Sequence, residues 1–368
     1  MTEIEGVFLM CQSNFLEISR SALRRNAAAV REAVQVPIIG VVKCNGYGVT
    51  LYEAAAAWQA AGVTMFGVSR PEEALSLRKM GFREEILLLC PVVDGRTQEE
   101  LLESNIILTV SSFEDAQRYA VSANRYPIRV HIAIDTGMGR LGIRWDDPAQ
   151  VRAVYGLSGF SFEGIFSHFA NAFEPLYWDT RRQLARFRHL TDQLEGEGYA
   201  IGIRHIANSC AALRFPETRL DAVRIGSALV GRLPVATGIK LENVSVFKAQ
   251  VVARKTFHPG DTVGYGSYYK IRKFSSGVIV ALGHEDGFGL TAKPDHLRFR
   301  DLIAYLRRVI RGWLHPPYVV WNHQELKILG RVGSQYTIFD ATGLAVQPGD
   351  WVEWEGNLML SHCERRFV

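Results

Sequence analysis

Residues 38–68, IIGVVKCNGYGVTLYEAAAAWQAAGVTMFGV, decide the fold. The apolar run 38–42 reads as a strand buried on both faces. The alanine-rich stretch 51–61 reads as a helix, and Met65-Phe66-Gly67-Val68 as a second buried strand. Strand, helix and strand in succession make a βαβ unit, whose two strands run parallel. Outward from it, a helix over 72–80 leads to a strand at 86–89. Further strand-like runs stand at 106–110, 128–134, 162–166, 205–207 and 222–224. Eight such units suit a TIM-type (β/α)8 barrel. A doubly wound sheet is the competing arrangement, but it should carry a Gly-rich fingerprint after its first strand, and none stands there.

Past Pro234 the pattern becomes short strands at 244–252, 263–269, 277–282, 319–329, 336–339 and 351–355. Turn signals such as Pro259-Gly260-Asp261 and Pro348-Gly349-Asp350 separate them. The expectation is a barrel domain over 14–239 and a mainly β domain over 240–368, with residues 1–13 packing on the β-domain. A helical insertion interrupts the second domain at about 291–316. Six basic and two acidic side chains lie between Lys293 and Arg311, around an apolar stripe of Leu302, Ile303, Leu306, Val309, Ile310 and Trp313. That stripe is an adequate core face, so packing on its own domain is preferred to a membrane-surface role.

The 368 residues fit two domains, and 48% apolar with 22% charged residues is an ordinary globular balance. A net charge of +4 is too small to argue for nucleic acid, and no zinc-finger or helix-turn-helix spacing is present. Five scattered cysteines without a C-x-x-C pair read as reduced thiols, not a disulfide framework or a metal site. The first residues lack the basic and long apolar regions of a signal peptide, and no run is long enough to span a bilayer. A cytoplasmic protein is expected.

The chemistry gathers at strand ends. Lys43 directly follows a buried strand, at the C-terminal mouth where barrels collect catalytic groups. Desolvation there favours an uncharged amine able to form a Schiff base, although a lone strand-end lysine would more often be a solvated loop residue. Other strands end in DTGMGRLG (135–142), SHFANA (167–172), HIANS (205–209) and VRIGS (223–227), and GYG (264–266) sits in the β-domain. VRIGS supplies a fixed cation and then backbone amides suited to phosphate.

Taken in order, these motifs and VVKCNGYG (41–48) resemble the alanine racemase family, the fold-type III enzymes dependent on pyridoxal 5′-phosphate (PLP). The resemblance runs through nearly the whole chain, and it implies a barrel followed by a β-domain. It also implies that Lys43 bears the cofactor and acts as one catalytic base. Tyr47, Ser209, Gly226 and Ser227 would hold the phosphate, with Asn208 beside them. His168 would pack on the pyridine ring, Arg224 would hydrogen-bond its nitrogen, and Arg140 would approach its phenolic oxygen. Tyr265, contributed by the other subunit of a homodimer, would be the second catalytic base.

The pattern departs on the substrate side. Val49-Thr50 follow the lysine motif where the family has His-Gly, and Ala133 stands where it often has a lysine. Gly283-His284-Glu285-Asp286-Gly287, Gly330-Arg331-Val332-Gly333-Ser334-Gln335 and His362 replace its Tyr-, Met- and Asp-bearing segments. Arg140, His284, Ser334, Gln335 and His362 are therefore the substrate-side candidates, and alanine or a larger, more polar amino acid is the expected substrate. Another PLP reaction on the same fold (decarboxylation or epimerisation) and a non-catalytic PLP-binding protein are the alternatives.

Overall fold

A computed structural model describes residues 13–174, 177–290, 306–307, 310 and 316–368. The chain forms two compact units. One is Arg20–Val244, and the other is Ser245–Val368 joined by the described part of the N-terminal segment.

The first unit is a closed parallel barrel. Ile38–Val41 pairs with Met65–Val68, which pairs with Glu85–Leu88. A parallel bridge from Leu87 to Ile107 carries the ladder to Leu108–Val110, and then to Ile128–Asp135, Phe160–Phe166 and Ile203–His205. A second bridge, His205 to Ala222, leads to Val223–Ile225, which pairs back onto Ile38–Val41. Eight strands thus close the ring. Phe66, Ile86, Leu87 and Ile165 are fully buried, each contributing about 1.5–3 kcal/mol of apolar burial. Gly40 has a packing reason. A Cβ there would lie 2.8 Å from the Trp58 indole, which the helix Leu51–Ala60 lays against the strand.

The second unit is mainly antiparallel. Its long strand Ser245–Phe257 alternates buried and half-buried residues over its first half, the pattern of a sheet with one covered face. It pairs with Ser275–Val280 and Trp351–Trp354. Phe247, Trp354, Phe288 and Phe339 form the aromatic core of this sheet.

Three details differ from the sequence reading. The strand Asn14–Ile18, counted with the barrel, pairs with Ser245–Phe257 and Glu364–Phe367 in the second unit. Its short apolar run (Phe15, Leu16 and Ile18 buried) suits either sheet, and only pairing assigns it. The single strand expected over 319–329 is a hairpin, Tyr318–Trp321 with Gln324–Lys327. Its turn residues Asn322 and His323 both have positive φ, as the right-handed twist of a two-residue hairpin demands. The region 263–269 is broken by a 3₁₀ turn at Tyr265–Ser267 between two-residue strands. Residues 1–12 and most of the basic segment at 291–316 lie outside the described residues.

Candidate active site

Lys43 leaves the barrel mouth through an unusual backbone. Cys44, Asn45, Gly46 and Tyr47 all have φ between 51° and 65°, a turn of left-handed helix that costs roughly 1–2 kcal/mol per residue bearing a Cβ. Local hydrogen bonds hold it. Gly46 N donates to Val42 O at 2.8 Å and Gly48 N to Asn45 O at 3.1 Å. The Asn45 side-chain oxygen accepts from Leu51 N at 2.8 Å, tying the turn to the first residue of the next helix. Strain of this kind marks a functional segment.

A cavity of about 190 Å³ opens at this mouth. Lys43, Arg140 and Arg224 line it with Tyr47, His168 and Asn208, and among the described residues no carboxylate lines it. The lining therefore selects for an anionic occupant.

Arg224 is the buried hub of that wall. Its Nη1 reaches His205 Nδ1 at 2.7 Å and donates to His205 O at 3.0 Å. Its Nη2 donates to Ser167 O at 2.6 Å and reaches His168 Nδ1 at 3.1 Å. Nε has no partner among the described residues. A guanidinium only donates, so both histidines accept through Nδ1 and carry their proton on Nε2. Burial, then Arg140, lowers the Arg224 pKa to about 9, which leaves the group charged at neutral pH. Burial followed by Arg224, Arg140 and Lys43 lowers His168 to about 3, so it is neutral.

Tyr47 and Gly226 touch: a Cβ on Gly226 would sit 2.3 Å from the Tyr47 hydroxyl oxygen. Burial raises Tyr47 to about 12, which keeps that hydroxyl a donor. Gly226 N donates to Ser209 Oγ at 3.1 Å, leaving the serine proton to point elsewhere. Asn208 spends its carbonyl oxygen on Ala211 N, so its amide protons remain to donate, and Ser227 follows half-buried. The resemblance grouped these five residues, which are far apart in sequence; the fold brings Tyr47, Ser209 and Gly226 together.

Arg140 is exposed at the cavity edge, with no ion pair among the described residues. Its loop is held from behind by Asp135, whose Oδ1 accepts from Gly137, Met138 and Gly139 N. Ala133 lines the cavity on the same strand.

The remaining candidates belong to the second unit. Tyr265, between two positive-φ glycines, is 86% exposed. His284 N donates to Gly333 O and Glu285 N to Ser334 O, which brings His284, Ser334 and Gln335 into one exposed group. No hydrogen bond joins exposed His362 to that group among the described residues. Sequence reasoning missed the roles of His131 and His205. A signal existed for both: His131 alternates with Ala133 and Asp135 on one strand face, and His205 opens the HIANS motif. Among the described residues, no cluster of His, Cys, Asp or Glu could hold a metal, and no helix is long and apolar enough to cross a membrane.

Residues 18–234 match the model of the alanine racemase N-terminal domain, and residues 244–363 that of the C-terminal domain. The alanine racemase of Desulforamulus reducens is 37% identical over 282 residues, 74% of this chain and 76% of that protein. An amino-acid racemase of Enterococcus faecalis is 32% identical over 74% of this chain and 40% of its own length. The alanine racemase of Streptomyces lavendulae superposes with a TM-score of 0.83 at 26% identity, covering 97% of each chain.

Proposed function

The chain belongs to the alanine racemase family, and from that premise we propose that it interconverts the L- and D-forms of an amino acid using PLP carried by Lys43. One observation carries this reading: a carboxylate-free cavity joins the strand-end lysine to a buried, donor-only arginine and a neutral histidine.

The donor set fits PLP. Tyr47, Ser209, Gly226 and Ser227 would hold its phosphate with Asn208 beside them, His168 would face its ring, and Arg140 would meet its phenolic oxygen. When bound, PLP supplies an electron sink that acidifies the Cα–H of an amino acid joined to it. The protein's part is placement and proton transfer. Lys43 takes or returns the proton on one face of Cα, and Tyr265 of the partner subunit serves the other, which makes the enzyme a homodimer. Two acid/base groups on opposite faces are what inversion requires. Arg224 offers the ring nitrogen a hydrogen bond but no proton, since a guanidinium keeps its own. This weakens the electron sink and favours return of the proton to Cα over side reactions.

The substrate is alanine or a larger, more polar amino acid, and Arg140, His284, Ser334, Gln335 and His362 are the candidates for its recognition. Ala133 and these polar replacements support the larger choice.

Incubating the protein with PLP and a panel of amino acids in D2O tests the reading. Loss of Cα–H with inversion in at least one amino acid is expected. Carbon dioxide release or no exchange at all would replace it with a decarboxylase or a binding protein. Lys43→Ala should remove both exchange and the protein-bound visible band.

A further inference from the structure

Behind Arg224 lies a second histidine that the reaction does not touch. His205 Nδ1 meets Arg224 Nη1 at 2.7 Å, and its Nε2 meets His131 Nδ1 at 2.8 Å. Both rings are fully buried. His131 Nε2 is buried without a hydrogen-bond partner among the described residues.

We infer that His131 is a positioning residue for Arg224, acting through His205 as the far end of a relay with one fixed proton order. Arg224 can only donate, so His205 accepts at Nδ1 and bears its proton on Nε2. That proton must then go to His131 Nδ1, which leaves the second proton of the relay on His131 Nε2, facing no acceptor. The opposite order would set the Arg224 N–H against a His205 N–H. An unsatisfied buried donor is costly, and the relay tolerates it at its far end to keep Arg224 satisfied at its near end.

The packing is built around this ring. Gly164, on the neighbouring strand, would place a Cβ 2.7 Å from His131 Nδ1 and Cε1, so only glycine there leaves the imidazole its position. Each Nη of Arg224 is thus spent on protein acceptors, and the guanidinium plane is fixed with Nε left over for the cavity's occupant. The proton order follows from geometry alone, while its bearing on catalysis rests on the racemase reading.

The test begins with unmutated protein labelled with ¹⁵N-histidine, without PLP, at pH 7. Long-range ¹H–¹⁵N spectra should show His205 and His131 neutral and both protonated on Nε2; an Nδ1–H form of either, or a charged ring, overturns the relay. Two variants then read its effect in the holoenzyme. His131→Leu removes the acceptor, whereas His131→Asn presents an oxygen near the place of Nδ1. With Leu, kcat should fall about tenfold, the scale of leaving one buried donor (the His205 Nε2–H) without its acceptor, with KM changed less than about twofold and the visible band shifted. Asn should restore band and kcat. Leu with an unshifted band and full kcat, or Asn no better than Leu, overturns the positioning role, and if Leu does not fold the spectra of the unmutated protein decide. The proposed order without racemisation would sink the reaction and leave the relay; racemisation with the opposite order would sink the relay alone.

Discussion

Arg224 sits with its four Nη hydrogens turned to Ser167, Ile206, His168 and His205, so its neighbours must be acceptors, and a charged imidazole cannot accept. His131 is held at about 3 by burial and then by the charges of Arg224 and Arg129. His205 lies well below its ordinary value, first through burial and then through Arg224. Their folded pKa values are depressed, so the unfolded chain takes up protons first as pH falls. Stability is fully present above the unfolded histidine value of about 6.5 and is lost below it, by about 1.4 kcal/mol per pH unit for each ring. Urea unfolding at pH 7, 6 and 5 should therefore show a falling midpoint at constant m. A flat profile, or one that rises toward pH 5, would mean that these rings are not buried and neutral.

At the scale of elements, the left-handed turn after Lys43 is the part that local preference opposes most. Five successive positive-φ residues, Cys44 to Gly48, include two glycines, and Asn45 helps in two ways. Asparagine tolerates that region, and its side-chain oxygen accepts from Leu51 N, so that it helps cap the helix Leu51–Ala60 beside the N-cap residue Thr50. Asn45→Ala should lower stability by about 0.5–2 kcal/mol, the range of a lost capping hydrogen bond. Asn45→Asp, which keeps the acceptor, should lose less than half of that. Calorimetric melting of the three proteins checks it, and equal loss in both variants would assign the cost to something other than the cap. The sequence reading placed a strand before this turn and a helix after it. It contained no sign of the turn's handedness, because residues such as Cys44 and Tyr47 rarely adopt positive φ, and here their hydrogen bonds outweigh that preference.

At the scale of the whole molecule, the proposed mechanism divides each site between two copies of the chain. Lys43→Ala and Tyr265→Ala proteins should each be nearly inactive alone. Mixed, dissociated and reassociated at random, they should recover up to about one quarter of the unmutated activity, because half the dimers carry one intact site of two. No recovery, with exchange of subunits verified by mass, would place both groups in one chain or remove Tyr265 from the chemistry.

Much was legible before any coordinates: the barrel from the alternation of buried strands with helices, the β-domain from its turn chemistry, and Lys43, Arg140, His168 and Arg224 as candidates from motifs whose roles the family resemblance supplied. These are local signals, since a strand buried on both faces, a turn or a motif is written in neighbouring residues. Tertiary structure alone decided which sheet takes Asn14–Ile18, that Tyr47 lies on Gly226, and that His131 reaches His205 across 74 positions. The first depends on pairing with a strand more than 200 positions away, and the other two on closing the ring of strands, which sets side chains distant in sequence within hydrogen-bond reach and removes the water that would otherwise satisfy them.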